Sequence, residues 1–157
     1  MLVPLDIVSF GLEPGKHAPM VVLRERGGDR TLCLPVSPVE ASAIAMNSLG
    51  VAVDKPLTID LVRMVLDAFG GTLERVLVGE SGGASLRVRL QLAGPQGVLL
   101  LDCSASSAVA LALRCDAPLF AFESALAAGD GKPPAVQELR QRVQALHVLD
   151  FGRCYPE

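Results

Sequence analysis

The sequence predicts an α+β domain, a mixed and mostly antiparallel sheet of about six strands with packed helices, followed by a C-terminal amphipathic helix. Three observations lead there. Gly27-Gly28-Asp29 parts two aliphatic runs and reads as a hairpin turn, because glycine takes positive φ at little cost. Helix-opening chemistry stands at Ser37-Pro38-Val39-Glu40 and again at Lys55-Pro56-Leu57-Thr58. Strand-like runs then cover 72–80, 84–92 and 97–102, separated by Ser81-Gly82-Gly83 and Gly94-Pro95-Gln96-Gly97.

In chain order, residues 2–10 read as a strand whose start Pro4 places at a sheet edge. Gly11 to Lys16 is turn chemistry, and Pro19–Arg26 with Arg30–Val36 form the clearest hairpin. Ser37 caps the first helix, Pro38 suits its first position, and Glu40 completes a capping box. That helix runs through Ala41, Ile44, Ala45 and Ser48 toward Gly50. The second, with Thr58 as cap or first turn, carries an apolar stripe of Leu61, Met64, Val65 and Ala68 at helical spacing, and Gly70-Gly71 ends it. After the three strands, Ser104–Arg114 forms a small-residue helix whose Ala110, Leu111 and Leu113 belong to the core. Ala117–Phe122 is a short extended piece, and Glu123–Ala128 makes one or two helical turns. Gly129-Asp130-Gly131-Lys132-Pro133-Pro134 is a linker by composition. Beyond it Val136, Leu139, Val143 and Leu146 mark an amphipathic helix that needs a surface to cover its stripe. The expected division is therefore a domain over 1–128 and a linker with a helical tail over 129–157.

Composition narrows the function classes. Half of the 157 residues are hydrophobic and 20% are charged, so a packed core is expected rather than disorder. The net charge of −3 gives no overall basic character for phosphate neutralisation. Arg24, Arg26 and Arg30 do gather on the hairpin, and Arg87 and Arg89 alternate along one strand, as a solvated sheet face would. Cys33, Cys103, Cys115 and Cys154 have no C-x-x-C spacing, which argues against a structural zinc site and a disulfide framework and for reduced thiols in the cytoplasm. Met-Leu-Val-Pro-Leu-Asp lacks a basic region, so no signal peptide is expected. No apolar run is long enough to span a bilayer, so no membrane partner is expected.

No Walker loop, Rossmann glycine fingerprint, H-E-x-x-H or nucleophile elbow occurs, and His17 and His147 stand in a turn and in the tail. The polar residues of interest are Glu40, Asp60 and Asp102, each in or just before the first turn of a helix. Acids at such positions stabilise the helix dipole by ~0.3–1 kcal/mol without further purpose. Brought together, the same three would hold a hard cation such as Mg²⁺ or Mn²⁺. In Asp102-Cys103-Ser104-Ala105-Ser106-Ser107, Ser104 or Ser106 serves as an N-cap, and exposed helix-start hydroxyls and amides also receive phosphate.

The order of these motifs carries a family likeness. A hairpin, Pro-Val-Glu-Ala-x-Ala-Ile-Ala, Lys-Pro-Leu-Thr-x-Asp-Leu, three strands and then Asp-x-x-x-Ser-x-Ala-Val-Ala-Leu-Ala-Leu-Arg-x-x-Ala-Pro-Leu together resemble the bifunctional nuclease (BFN) domain over about residues 2–127. The matching positions are Pro38, Glu40, Ala41, Pro56, Leu57, Thr58, Asp60, Leu61, Asp102, Ser106 and the helix Ala108–Arg114. Departures are Pro35 where the family has Trp, Ile59 where it has His, and Cys103, Ser104, Ala105 and Ser107 within its Asp-Ala-Arg-Pro-Ser-Asp. The resemblance implies a nuclease acting on DNA and RNA, with Glu40, Asp60, Asp102 and Ser106 as catalytic candidates. It implies a divalent metal, Mg²⁺ or Mn²⁺, on Glu40, Asp60 and Asp102. The replaced residues leave open a non-catalytic binding or protein-interaction module on the same scaffold. The partners expected are DNA or RNA and further copies of the chain in a homo-oligomer.

Overall fold

A computed structural model describes residues 1–12, 18–48, 50, 54–80 and 86–127. His17, the turn Ser81-Gly82-Gly83, the linker, the tail helix with His147, and Cys154 lie outside the described residues. The elements are β1 (Leu2–Leu12), β2 (Pro19–Glu25), β3 (Thr31–Pro35), α1 (Pro38–Ser48), α2 (Thr58–Ala68), β4 (Thr72–Glu80), β5 (Leu86–Gly94), β6 (Gly97–Cys103), α3 (Ala105–Cys115), β7 (Leu119–Phe122) and α4 (Glu123–Ala127).

The strands form one seven-stranded sheet in the order β3-β2-β1-β7-β4-β5-β6. The fold is α+β with a mixed sheet, in which only β7 with β4 is a parallel pair. The short extended piece near residue 120 is the added strand. It fills the centre, joining the meander β1-β2-β3 to the meander β4-β5-β6. The chain reaches that slot through α3, which carries it from the β6 edge back to the middle.

β1 is an interior strand, so Pro4 does not mark an edge. The β1–β2 ladder begins only at Leu5, opposite Glu25, and the Pro4 carbonyl accepts from the Arg26 N–H at 2.9 Å. In an antiparallel strand a residue's N–H and C=O point the same way. The missing Pro4 donor therefore faces Arg26, one residue past the last β2 partner, so proline forgoes a single hydrogen bond at the end of the ladder and leaves the rest intact.

The hairpin β2–β3 forms as expected, with Gly27 at φ 81° in its turn. Its end is fastened by Glu25, which accepts from Arg30 Nε at 2.7 Å and from a second guanidinium nitrogen at 2.8 Å. These hydrogen bonds hold the Glu25 carboxyl below its usual range, with the Arg30 charge adding to them and partial burial opposing them. A carboxyl depressed in the folded state contributes stability above its unfolded pKa, and that contribution is lost as pH falls through the folded value. Glu25→Gln is accordingly expected to be less stable than the wild type at neutral pH, with the gap closing in acid. Denaturant titrations from pH 7 to 3 check this, and a constant gap would count against it.

α3 is the centre of the helical layer. It packs on β3, β4 and β5 on one side and meets α1 and α2 on the other. Ser106 and Ala108–Ala112 are buried in consequence. Small residues suit this place, since alanine pays no side-chain entropy in a helix and lets flanking backbones approach. Ala110 and Leu111 are buried core residues as expected, and Leu113 is partly buried against the core.

Two apolar runs lie elsewhere than their periodicity suggests. On α2 no residue is fully buried, and only Ile59 and Leu66 pack on the core, while Leu61, Met64, Val65 and Phe69 face outward. Periodicity identifies an apolar face but not what covers it. β6 is an edge strand, and Val98, Leu99, Leu100 and Leu101 are 64, 56, 49 and 46% exposed. Among the described residues no helix is long and apolar enough to cross a membrane.

Candidate functional site

The candidate polar residues are distributed around α3. At its N-terminus Ser104 is the cap, accepting the Ser107 N–H at 3.2 Å. The Ser104 hydroxyl also donates to Ser107 Oγ at 2.9 Å and lies 3.2 Å from Ser106 Oγ. Ser107 Oγ in turn donates to Glu40 Oε1 at 3.0 Å. A hydroxyl relay thus runs from an exposed cap to a carboxylate 67 positions away in sequence. Ser106 is buried beneath this relay, so the hydroxyls open to solvent are those of Ser104 and Ser107.

Glu40 reaches Ser107 because α1 and α3 start side by side. Ser37 caps α1, its Oγ accepting the Glu40 N–H at 3.3 Å. The expected return bond, from the Ser37 N–H to the Glu40 carboxylate, is not found among the described residues. The carboxylate is turned across to α3 instead, where a hydroxyl donor competes successfully with a local amide.

Asp60 lies beside the other end of α3. Its Oδ2 accepts the Leu57 N–H at 2.9 Å, the reciprocal half of a capping box in which leucine at the cap offers no acceptor. Its Oδ1 sits 3.0 Å from Arg114 Nε, with both side chains about one-fifth exposed. That N–H is not aimed at the oxygen, and Arg114 Nε makes no hydrogen bond among the described residues, so the contact is mainly Coulombic. Arg114 also donates to Asn47 Oδ1 at 2.9 Å, and its carbonyl accepts from Arg63 at 3.0 Å. One guanidinium in the last turn of α3 therefore ties down α1 and α2 together.

Ser107 and Arg114 are two turns apart, a rise of roughly 10 Å along the helix. Glu40 and Asp60, each bonded to one of them, sit beside opposite ends of α3. Asp102 is elsewhere again. In the β5–β6 ladder it opposes Arg89, whereas Leu101 opposes the buried Leu90. Side chains alternate along a strand, so Asp102 projects from the sheet face that turns away from the helices. It is 62% exposed there, with Arg87 no closer than 4.0 Å. Among the described residues no three His, Cys, Asp or Glu side chains come near enough to share a metal ion. Glu40, Asp60 and Asp102 do not form one cation cage.

Cys33, Cys103 and Cys115 are free and half-buried, and burial pushes all three thiols up, away from the thiolate form that a nucleophile needs. A shallow hollow of about 330 Å³ lies between β1 and the C-terminal end of α3, lined in part by Asp6, Arg26, Asp116 and Pro118. Arg26 donates to Asp6 within it at 2.6 Å, which offsets those two charges and leaves Asp116 as the remaining charged group of the lining. The hollow includes none of Glu40, Asp60, Asp102 and Ser106.

Sequence reasoning did not single out Ser107, Asn47 or Arg114. Ser107 had a local signal, its place three residues past a capping serine, but its pairing with Glu40 depends on the α1–α3 contact. Arg114 ended the matched helix motif without any indication that it would meet Asp60.

Comparison with known proteins agrees with this arrangement of motifs. The chain is 33% identical over 121 residues to the uncharacterized proteins Rv1829 and MT1877 of two Mycobacterium tuberculosis strains, covering 77% of this chain and 72% of each relative. The model of the bifunctional nuclease domain matches residues 21–131. With its meanders, its α1–α3 junction and that match, the chain belongs to the bifunctional nuclease domain family.

Proposed function

We propose that this chain is a nucleic-acid phosphodiesterase acting from the N-terminal ends of α1 and α3. The observation that carries the reading is the Ser107–Glu40 hydrogen bond, which joins the family-matching Glu40 to Ser107, where the chain departs from the family, at a helix start. The first N–H groups of a helix lack intrahelical partners and favour a phosphate oxygen, here with the exposed Ser104 hydroxyl beside them. Glu40 accepts the Ser107 hydroxyl on Oε1, and its other oxygen, without a hydrogen-bond partner among the described residues, would accept a proton from water attacking a phosphodiester. The leaving sugar oxygen takes its proton from solvent or from the hydroxyl relay. The separated carboxylates do not fit a shared Mg²⁺ or Mn²⁺ cage, and no step is routed through a metal.

Incubation of the purified chain with single-stranded DNA and RNA, in Mg²⁺, in Mn²⁺ and in chelator, tests the reading. Cleavage by the wild type and a loss of at least about 100-fold in Glu40→Gln, the low end for removing a general base, is the expected result. Intact substrate under all three conditions would remove hydrolysis.

One observation favours a second reading, binding without turnover: Glu40 and Asp60 are each engaged in holding helices together. A polarisation assay showing saturable binding to labelled oligonucleotide with no cleavage would select it.

A further inference from the structure

We infer that the β6 edge, with the outer face of α2 beside it, docks a second copy of this chain by antiparallel β6–β6 pairing across a two-fold axis. Among the described residues β6 ends the sheet, and an unpaired strand edge offers a row of N–H and C=O groups to any incoming strand. Natural edges are usually guarded by proline, lysine, a bulge or a cover. The run Gly97-Val98-Leu99-Leu100-Leu101 has none of the guarding residues and continues in regular register against β5. The opposite edge contrasts with it, for β3 buries Thr31, Leu32 and Leu34 and ends in Pro35.

The exposure pattern decides the kind of partner. Leu99 and Leu101 point to the helix side of the sheet, and Val98 and Leu100 to the other side, yet all four are about half exposed or more. A helix laid on the sheet would cover one face only. A strand added in plane covers the backbone row, and its own side chains then flank both faces. A second copy supplies more, because the rotation places its α2 on the same side of the joined sheet as the first α2. The two helices then flank the joined sheet on the face that carries Leu99 and Leu101. The end of α2 abuts the turn before β6, which brings the two surfaces together: a side chain at Gly70 would meet Pro95 at 3.5 Å, and one at Gly94 would meet the Gly71 backbone at 3.9 Å.

Area and charge agree with a self-associating patch. Leu61, Val62, Met64, Val65 and Phe69 of the α2 segment join the four β6 residues as exposed large apolars. At their observed exposures they present on the order of 800 Å² over the two faces of the edge together, comparable to what one partner contributes to a standard-size interface. The register centred on Leu100 places Leu99 against the partner's Leu101. It also places Asp102 against the partner's Val98, so no like charges face each other.

The test is the mass of the intact chain in solution by light scattering and sedimentation at micromolar concentration. The wild type is expected at twice the chain mass, and Leu100→Arg and Met64→Glu at the chain mass with an unchanged circular dichroism spectrum. Should Leu100→Arg fail to fold, cysteine cross-linking decides. Leu100→Cys is expected to give an oxidant-dependent covalent dimer because each copy meets its own equivalent across the axis, whereas Val98→Cys, which meets Asp102, is expected to give only the wild-type background. A monomeric wild type overturns the proposal, and so do equal cross-linking yields at the two positions. A dimer that survives Leu100→Arg but is split by Leu139→Glu assigns assembly to the C-terminal tail and also overturns it.

Discussion

Leu111→Ala is expected to lower folding stability by about 3 kcal/mol, the middle of the range for emptying a fully packed leucine site. Leu111 is 3% exposed in α3, between the sheet and the outer helices. Layers on both sides limit how far the site can collapse around a void, so the cavity cost adds to the lost transfer energy. Leu111→Met, which conserves volume, is expected to cost less than about 1.5 kcal/mol. Urea denaturation measures both. Similar small losses in the two variants would show that α3 is not the packed centre described above.

Arg114→Ala follows at about 2–3 kcal/mol, somewhat less than the usual cost of breaking a fully buried pair because both partners retain some solvent contact. The loss strands the Asp60 carboxylate and removes the bond to Asn47, loosening α1 and α2 from α3 together. For a domain of this size that corresponds to a fall in melting temperature of about 8–12 °C. Arg114→Lys keeps the charge but cannot reach two directions from a planar head, so it is expected to recover only part of the loss. Thermal denaturation followed by circular dichroism reads both, and full recovery by lysine would mean that the Coulombic contact alone matters.

Much of the fold was legible because its signals are local. Gly27 at positive φ, the Ser37 and Ser104 caps, the Gly70-Gly71 stop and the glycine-bounded strands all act within a few residues. β7 was harder to read, since four residues of Leu-Phe-Ala-Phe look the same at an edge and at the centre, and only the α3 crossover assigns the slot. Pro4 misled in a related way: proline forgoes one ladder hydrogen bond, and at the end of the β1–β2 ladder an interior strand tolerates that loss. The α2 stripe and β6 show the reverse limit. Their apolar residues were evident, but apolarity says only that a surface needs covering.

The site was less legible than the fold. Helix starts drew attention to Glu40, Asp60 and Asp102, and each does stand in or just before a first turn. Their separation follows from facts that no single segment contains. Residue parity in the β5–β6 ladder sends Asp102 behind the sheet, and the length of α3 divides Glu40 from Asp60. The Ser107–Glu40 contact arises the same way, from two helix starts placed side by side.

The division of labour among these acids is tested most directly by cleavage of single-stranded RNA and DNA by Glu40→Gln, Asp60→Asn and Asp102→Asn, each assayed well below its own melting temperature. Loss of turnover in Glu40→Gln alone, with Asp60→Asn less stable but as fast as the wild type, is the outcome the α1–α3 junction predicts. Comparable loss in all three variants would mean that the carboxylates act as one cluster, contrary to the geometry described here.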